Sequence, residues 1–142
     1  MSKILEFTYH RYLGKDPKTN QQIEKFRPTL PIRISKGDKS SFYFQALIDS
    51  GSDRNLFPAG IAEFVGINVS KGGKREIEGI GGHVIRSYTH SVLITIWNSI
   101  SFETEIDFSY DHQFPLLGRH GFFDKFKKIS FREKKRTIEF KT

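Results

Sequence analysis

The 142-residue sequence has no cysteine. That absence removes disulfides, thiolate zinc sites and cysteine nucleophiles together, and leaves the redox compartment open. Long hydrophobic runs are missing too. The N-terminus, Met1-Ser2-Lys3-Ile4-Leu5-Glu6, lacks the apolar stretch of a secretory signal, and no later segment approaches membrane-spanning length. No membrane partner and a cytoplasmic location are therefore expected, and the ordinary Met1 reads as the start of a free-standing gene product. His10, His83, His90, His112 and His120 include no close pair at metal-ligand spacing, so no metal is expected. Ser50 and Ser52 lack the strand-turn-helix setting of a nucleophile elbow, and no histidine is tied to them, which argues against a serine hydrolase.

The residues present describe a chain that folds. With 37% hydrophobic and 14% aromatic residues it lies outside the aromatic-poor, highly charged class that stays disordered. Its length fits one domain, 1–142, with a real core. The net charge of +7 is uneven, because the stretch from Asp124 to Thr142 holds eight Lys or Arg against three acids. A basic β-barrel that binds nucleic acid is one reading of this tail, and a steep loss of binding with salt would identify it. The basic residues alternate with Ile129, Phe131, Ile138 and Phe140, however, as on the solvated face of a hairpin, so no nucleic-acid partner is expected.

Two-residue periodicity dominates. Ile100, Phe102, Thr104, Ile106 and Phe108 fall on one face and Ser101, Glu103, Glu105 and Asp107 on the other, the pattern of a half-buried strand. Tyr88 to Trp97 pairs with it through a short Asn98-Ser99 turn. Further strands are expected at Ile4 to Tyr12, Ile23 to Phe26, Leu30 to Ser35, Ser41 to Ile48, Ile129 to Arg132 and Thr137 to Phe140. Turn signals stand at Gly14 to Asn20, Gly37-Asp38 and Gly72-Gly73. Only Pro58 to Val65 and Gly121 to Phe126 read as short helices. Many short strands with two helical turns make an all-β fold, a small barrel or sandwich.

Three segments carry chemistry. The run Phe44-Gln45-Ala46-Leu47-Ile48 delivers Asp49 into the turn Ser50-Gly51-Ser52-Asp53, where Gly51 lets the backbone pass close to another group. Alone, Asp-Ser-Gly is an ordinary turn tripeptide. Gly79-Ile80-Gly81-Gly82 follows about thirty residues on. Its glycines permit a tight mobile turn, and a phosphate cradle is disfavoured because Val84 to Ile96 reads as strand where a helix would be needed. Last comes Pro115-Leu116-Leu117-Gly118-Arg119, leading into Gly121-Phe122-Phe123.

Taken in order and at this spacing, the three segments resemble the retropepsins, the homodimeric aspartic proteases of retroviruses and retroelements, and their cellular relatives. The resemblance covers roughly 27–140, leaving 1–26 as an N-terminal strand extension. It implies a closed β-barrel of the acid protease fold with one or two short helices, and no cofactor. It makes Asp49 the catalytic carboxylate and puts Ser50, Gly51, Asp53 and Arg119 in the active-site loop, with Asp53 and Arg119 as an intrasubunit ion pair. It makes Gly79, Ile80, Gly81 and Gly82 the tip of a substrate-binding flap. The hairpin expected at Ile129 to Phe140 departs from the retroviral pattern, in which dimers interlock their terminal strands, and points toward the cellular relatives.

One Asp-Ser-Gly per chain implies a homodimer, since aspartic protease chemistry uses two carboxylates sharing one proton. The activity implied is that of an aspartic endopeptidase acting on a peptide or protein substrate held as an extended strand. The alternative is a non-catalytic dimer of the same fold that binds extended peptides.

Overall fold

The computed structural model describes residues 2–79 and 81–142. The strands follow in chain order as β1 (Ile4–Thr8), β2 (His10–Lys15), β3 (Gln22–Arg27), β4 (Thr29–Lys36), β5 (Lys39–Ser40), β6 (Phe44–Ile48) and β7 (Leu56–Pro58). After helix α1 (Ala59–Phe64) come β8 (Gly73–Glu78), β9 (Val84–Ile96), β10 (Ser101–Ser109), β11 (Leu116–Leu117), β12 (Lys128–Arg132) and β13 (Thr137–Lys141). Among the described residues no helix is long and apolar enough to cross a membrane.

Six strands close on themselves in the order β4-β6-β11-β7-β10-β9, with β9 returning to pair with β4. Closure leaves the barrel strands no free edge, and β5 and β8 are added outside the ring. Period-two alternation fills the interior. Leu30, Ile32 and Ile34 of β4 are fully buried, as are Ile94 and Ile96 of β9 and Ile106 and Phe108 of β10. Phe57 stacks edge-on against Phe44 and Phe108, joining β6, β7 and β10. A second sheet, β1-β13-β12, packs Phe140 against Phe122 and Phe126. Both terminal strands thus pair within one chain, with β13 flanked on both sides and β1 on the outer edge of the sheet.

Several expectations change. Ile4 to Tyr12 is two strands, because Tyr9 is buried and its hydroxyl donates to Glu133 at 2.6 Å, which turns the chain from the β13 pairing into the β2–β3 hairpin. Ser41 to Ile48 is interrupted: the Ser41 amide donates to the Ile34 carbonyl at 2.9 Å, but the Ile34 amide goes to the Ser41 hydroxyl at 3.0 Å, and Phe42 swings out to solvent before β6 begins at Phe44. Gly121 to Phe126 holds only a single 3-10 turn, Phe123–Lys125, since the chain must enter β12 at Lys128. Gly73 opens strand β8 instead of marking a turn. Asp107, assigned by alternation to the solvent face, is fully buried.

Candidate active site

The loop between β6 and β7 carries Asp49. Leu116 and Leu117 of β11 lie parallel to Leu47 and Ile48 at the end of β6, and the Asp49 amide donates to the Leu117 carbonyl at 3.0 Å, fixing where the loop begins. The chain then folds back on itself. The Ser52 amide donates to the Asp49 carbonyl at 3.1 Å, and the Gly51 amide donates to Asp49 Oδ1 at 2.9 Å. A Cβ on Gly51 would sit 3.2 Å from that same oxygen, so a side chain here crowds the carboxylate. Asp49 is half-buried, and its Oδ2 has no hydrogen-bond partner among the described residues.

The far side of the loop is stitched to the segment after β11. Arg119 and His120 amides donate to the Ser52 and Asp53 carbonyls, each at 2.8 Å. This contact is possible only because residue 118 is glycine: a Cβ there would lie 2.7 Å from the Ser52 carbonyl oxygen and closer still to the Arg54 backbone. Buried Asn55 completes the seam. Its Oδ1 accepts from the Gly118 amide at 2.9 Å and its Nδ2 donates to the Glu105 carbonyl at 3.1 Å.

The expected Asp53–Arg119 ion pair is not formed. Both side chains are exposed, and only their backbones are drawn together by the seam. The loop's ion pair is one residue further on, where Arg54 grips Asp107 of β10 with Nε to Oδ2 at 2.7 Å and Nη2 to Oδ1 at 3.1 Å. Thr89 of β9 adds a third donor, Oγ1 to Asp107 Oδ1 at 2.7 Å. Hydrogen bonding to Asp107 raises the Arg54 guanidinium above its ordinary value; burial opposes this, while the charges of Asp107 and Glu105 add to it. Arg54, Asn55, Thr89 and Asp107 all escaped the sequence reading. The only local signal was the position of Arg54 and Asn55 directly after Asp53.

Strands β8 and β9 form an antiparallel hairpin whose last pair is Glu78 with Val84. At its end the Gly79 amide donates to the His83 carbonyl at 2.8 Å and the Gly82 amide to the Gly79 carbonyl at 3.2 Å. Gly81 and Gly82 hold φ of +90° and +78°, the left-handed conformation anticipated for this turn. Ile80 lies outside the described residues. Between the loop and β8 runs a cleft of about 680 Å³, with Asp49, Gly51 and Asp53 on one side and Ile77, Glu78 and Gly79 on the other; Leu56 and Leu116 add apolar wall. Ser50 is exposed beside Asp49.

No protein-family model matches the chain, and no curated protein matches it either. Solved structures do. A retropepsin-like aspartic protease from Rickettsia conorii aligns with a TM-score of 0.60 and 11% identity, covering 99% of this chain and 93% of that one. The chain has the retropepsin-like aspartic protease fold. EIAV protease, solved with an inhibitor bound, aligns with a TM-score of 0.50 and 21% identity over 66% of this chain and 82% of the viral one. Within the retropepsin fold the Asp-Ser-Gly loop, the Leu-Leu-Gly strand and the glycine-tipped hairpin meet around one cleft, although they are far apart in the chain.

Proposed function

We propose that the chain is an aspartic endopeptidase that works as a homodimer, with residues 1–142 forming one retropepsin-like domain. The observation that carries the reading is the placement of Asp49: its carboxylate is held by the Gly51 amide at the edge of a cleft roofed by the β8–β9 hairpin, and one oxygen is left for a reacting group. Each chain has one such loop, so the second carboxylate comes from a second copy.

In the dimer a water sits between two Asp49 side chains. The ionised carboxylate takes a proton from the water as its oxygen bonds to the scissile carbonyl carbon, while the protonated partner hydrogen-bonds the carbonyl oxygen. Collapse of the tetrahedral intermediate breaks the C–N bond, and a proton passes to the departing amine. No covalent enzyme intermediate forms. Ser50, exposed at the loop, bonds across to the other copy and fixes the dyad. The hairpin, with Gly79, Ile80, Gly81 and Gly82 at its tip, closes over an extended peptide and excludes water. Ile77, Leu56 and Leu116 favour apolar side chains in the substrate.

The test is incubation of wild type and Asp49→Asn with an unbiased peptide library, with cut sites mapped by mass spectrometry. Cuts by wild type alone are expected. Mixing wild type with excess Asp49→Asn should suppress activity by forming half-equipped dimers. Identical cuts by both proteins would remove Asp49 from the mechanism. Binding of library peptides without cleavage at any pH would replace the enzyme with a peptide-binding module.

A further inference from the structure

We infer that the Arg54–Asp107 pair, relayed through Thr89 to Arg75, is a positioning device that sets the β8–β9 hairpin against the Asp49 loop. Its kinetic consequence rests on the endopeptidase reading, whereas its mechanical consequence does not.

The four residues form one chain of contacts across three strands. Arg54 belongs to the loop twice over, since its carbonyl accepts from Ser52 Oγ at 2.7 Å while its side chain leaves the loop for Asp107. Asp107 is entirely buried, and its two oxygens take three donors, two from Arg54 and one from Thr89. Thr89 stands opposite Asp107 in the β9–β10 register and opposite Gly73 in the β8–β9 register. Its hydroxyl, having donated to Asp107, accepts from Arg75 Nε of β8 at 3.3 Å. Arg54 and Arg75 both line the cleft that holds Asp49. A shift of the hairpin base is therefore felt at Asp107 and passed to the loop by a planar, two-pronged grip that resists rotation.

Net stability is a poor reason for such a pair. Ions withdrawn from water recover little more than their desolvation cost, and apolar residues of similar size often serve a fold as well. Apolar residues would not fix distance and angle between the loop and β10 as a bidentate ion pair does, nor offer Thr89 the acceptor through which β8 is tied to the same point.

The experiment replaces the pair by apolar residues, Arg54→Met with Asp107→Leu, and separately cuts the relay with the near-isosteric Thr89→Val. Melting temperature, amide exchange of Gly51 and of β8 by NMR, and kcat and KM on a cleaved peptide are measured for each. The double variant should melt close to wild type, yet exchange its Gly51 amide about tenfold faster. Its kcat should fall by about 10²-fold with KM little changed, the signature of misplaced reacting groups. Thr89→Val should speed exchange in β8 while leaving Gly51 protected. Arg54→Lys, which keeps the charge but loses the fork, should not rescue kcat. Unchanged exchange at both Gly51 and β8 overturns the inference, as does a double variant with wild-type kcat. If the double variant does not fold, Thr89→Val and Arg54→Lys decide by the same exchange measurements. If wild type cleaves nothing, the endopeptidase reading fails and the exchange data alone judge the coupling.

Discussion

Asp49 and Asp107 flank the same loop and are treated in opposite ways. Asp107, on the barrel side, is fully buried and takes three side-chain donors from Arg54 and Thr89. Asp49, on the cleft side, is half-buried and takes one backbone donor, from Gly51. A fully buried carboxylate whose oxygens already take three fixed donors is out of reach of a reacting water, whereas a half-buried one held by a single amide is oriented and still available. The contrast separates a carboxylate that braces the loop from one left open toward the cleft.

The sharpest way to break this contrast is to remove each charge in turn. Asp49→Asn should cost about 10²–10⁴-fold or more in cleavage rate, because the general base is lost, while the melting temperature hardly moves. On the barrel side the order reverses, with stability hit first. Arg54→Ala strands a buried carboxylate with Thr89 alone and should cost about 3–5 kcal/mol in urea unfolding. Asp107→Ala should cost less than Arg54→Ala, since the orphaned guanidinium is partly exposed and has Glu105 within 3.8 Å. Equal costs would show that burial of Asp107 does not govern the pair.

A smaller effect is expected at the seam. Gly118→Ala drives a methyl into the Ser52 and Arg54 backbone, and overpacking of this kind costs about 1–3 kcal/mol, with some loss of activity as the loop is pushed away. The smallest is expected at Asp53 and Arg119. Their side chains are exposed and unpaired with each other, so Asp53→Ala and Arg119→Ala should each leave the melting temperature within about 2 °C of wild type and combine additively. A measurable coupling in the double-mutant cycle would restore the ion pair.

The same contrast marks what could be read in the sequence. Asp49 was legible because its signature is local: an apolar strand delivering Asp-Ser-Gly, with the glycine-rich turn and Leu-Leu-Gly at fixed distances. The long strands β4, β9 and β10 were legible because one face of each is packed and alternation records it. Asp107 was not, because the alternation that buries Ile106 and Phe108 also assigns position 107 to solvent, and nothing nearby in sequence shows that Arg54 and Thr89 cover it. Asn55 was hidden for the same reason, as its partners Gly118 and Glu105 come from distant segments. Strands of two or three residues are too short for periodicity: β11 showed only through the Leu-Leu-Gly motif it belongs to, and β7 was missed, with Pro58 assigned to the helix that follows it. Asp53 and Arg119 were paired by resemblance, while the backbone seam that truly joins these segments runs through their amides and carbonyls, which sequence does not distinguish.

The slot that Gly118 makes possible also orders events in time. The loop can settle only when residues 116–120, far along the chain, have threaded into contact with residues 52–55. Closing so large a separation is slow and comes after local hairpins such as β9–β10 and β12–β13 have formed. A nascent chain that has emerged only as far as Pro115 already contains Asp49 but has no β11 to receive its strand. The cleft around Asp49 is therefore one of the last features of the fold to be completed as the chain is made.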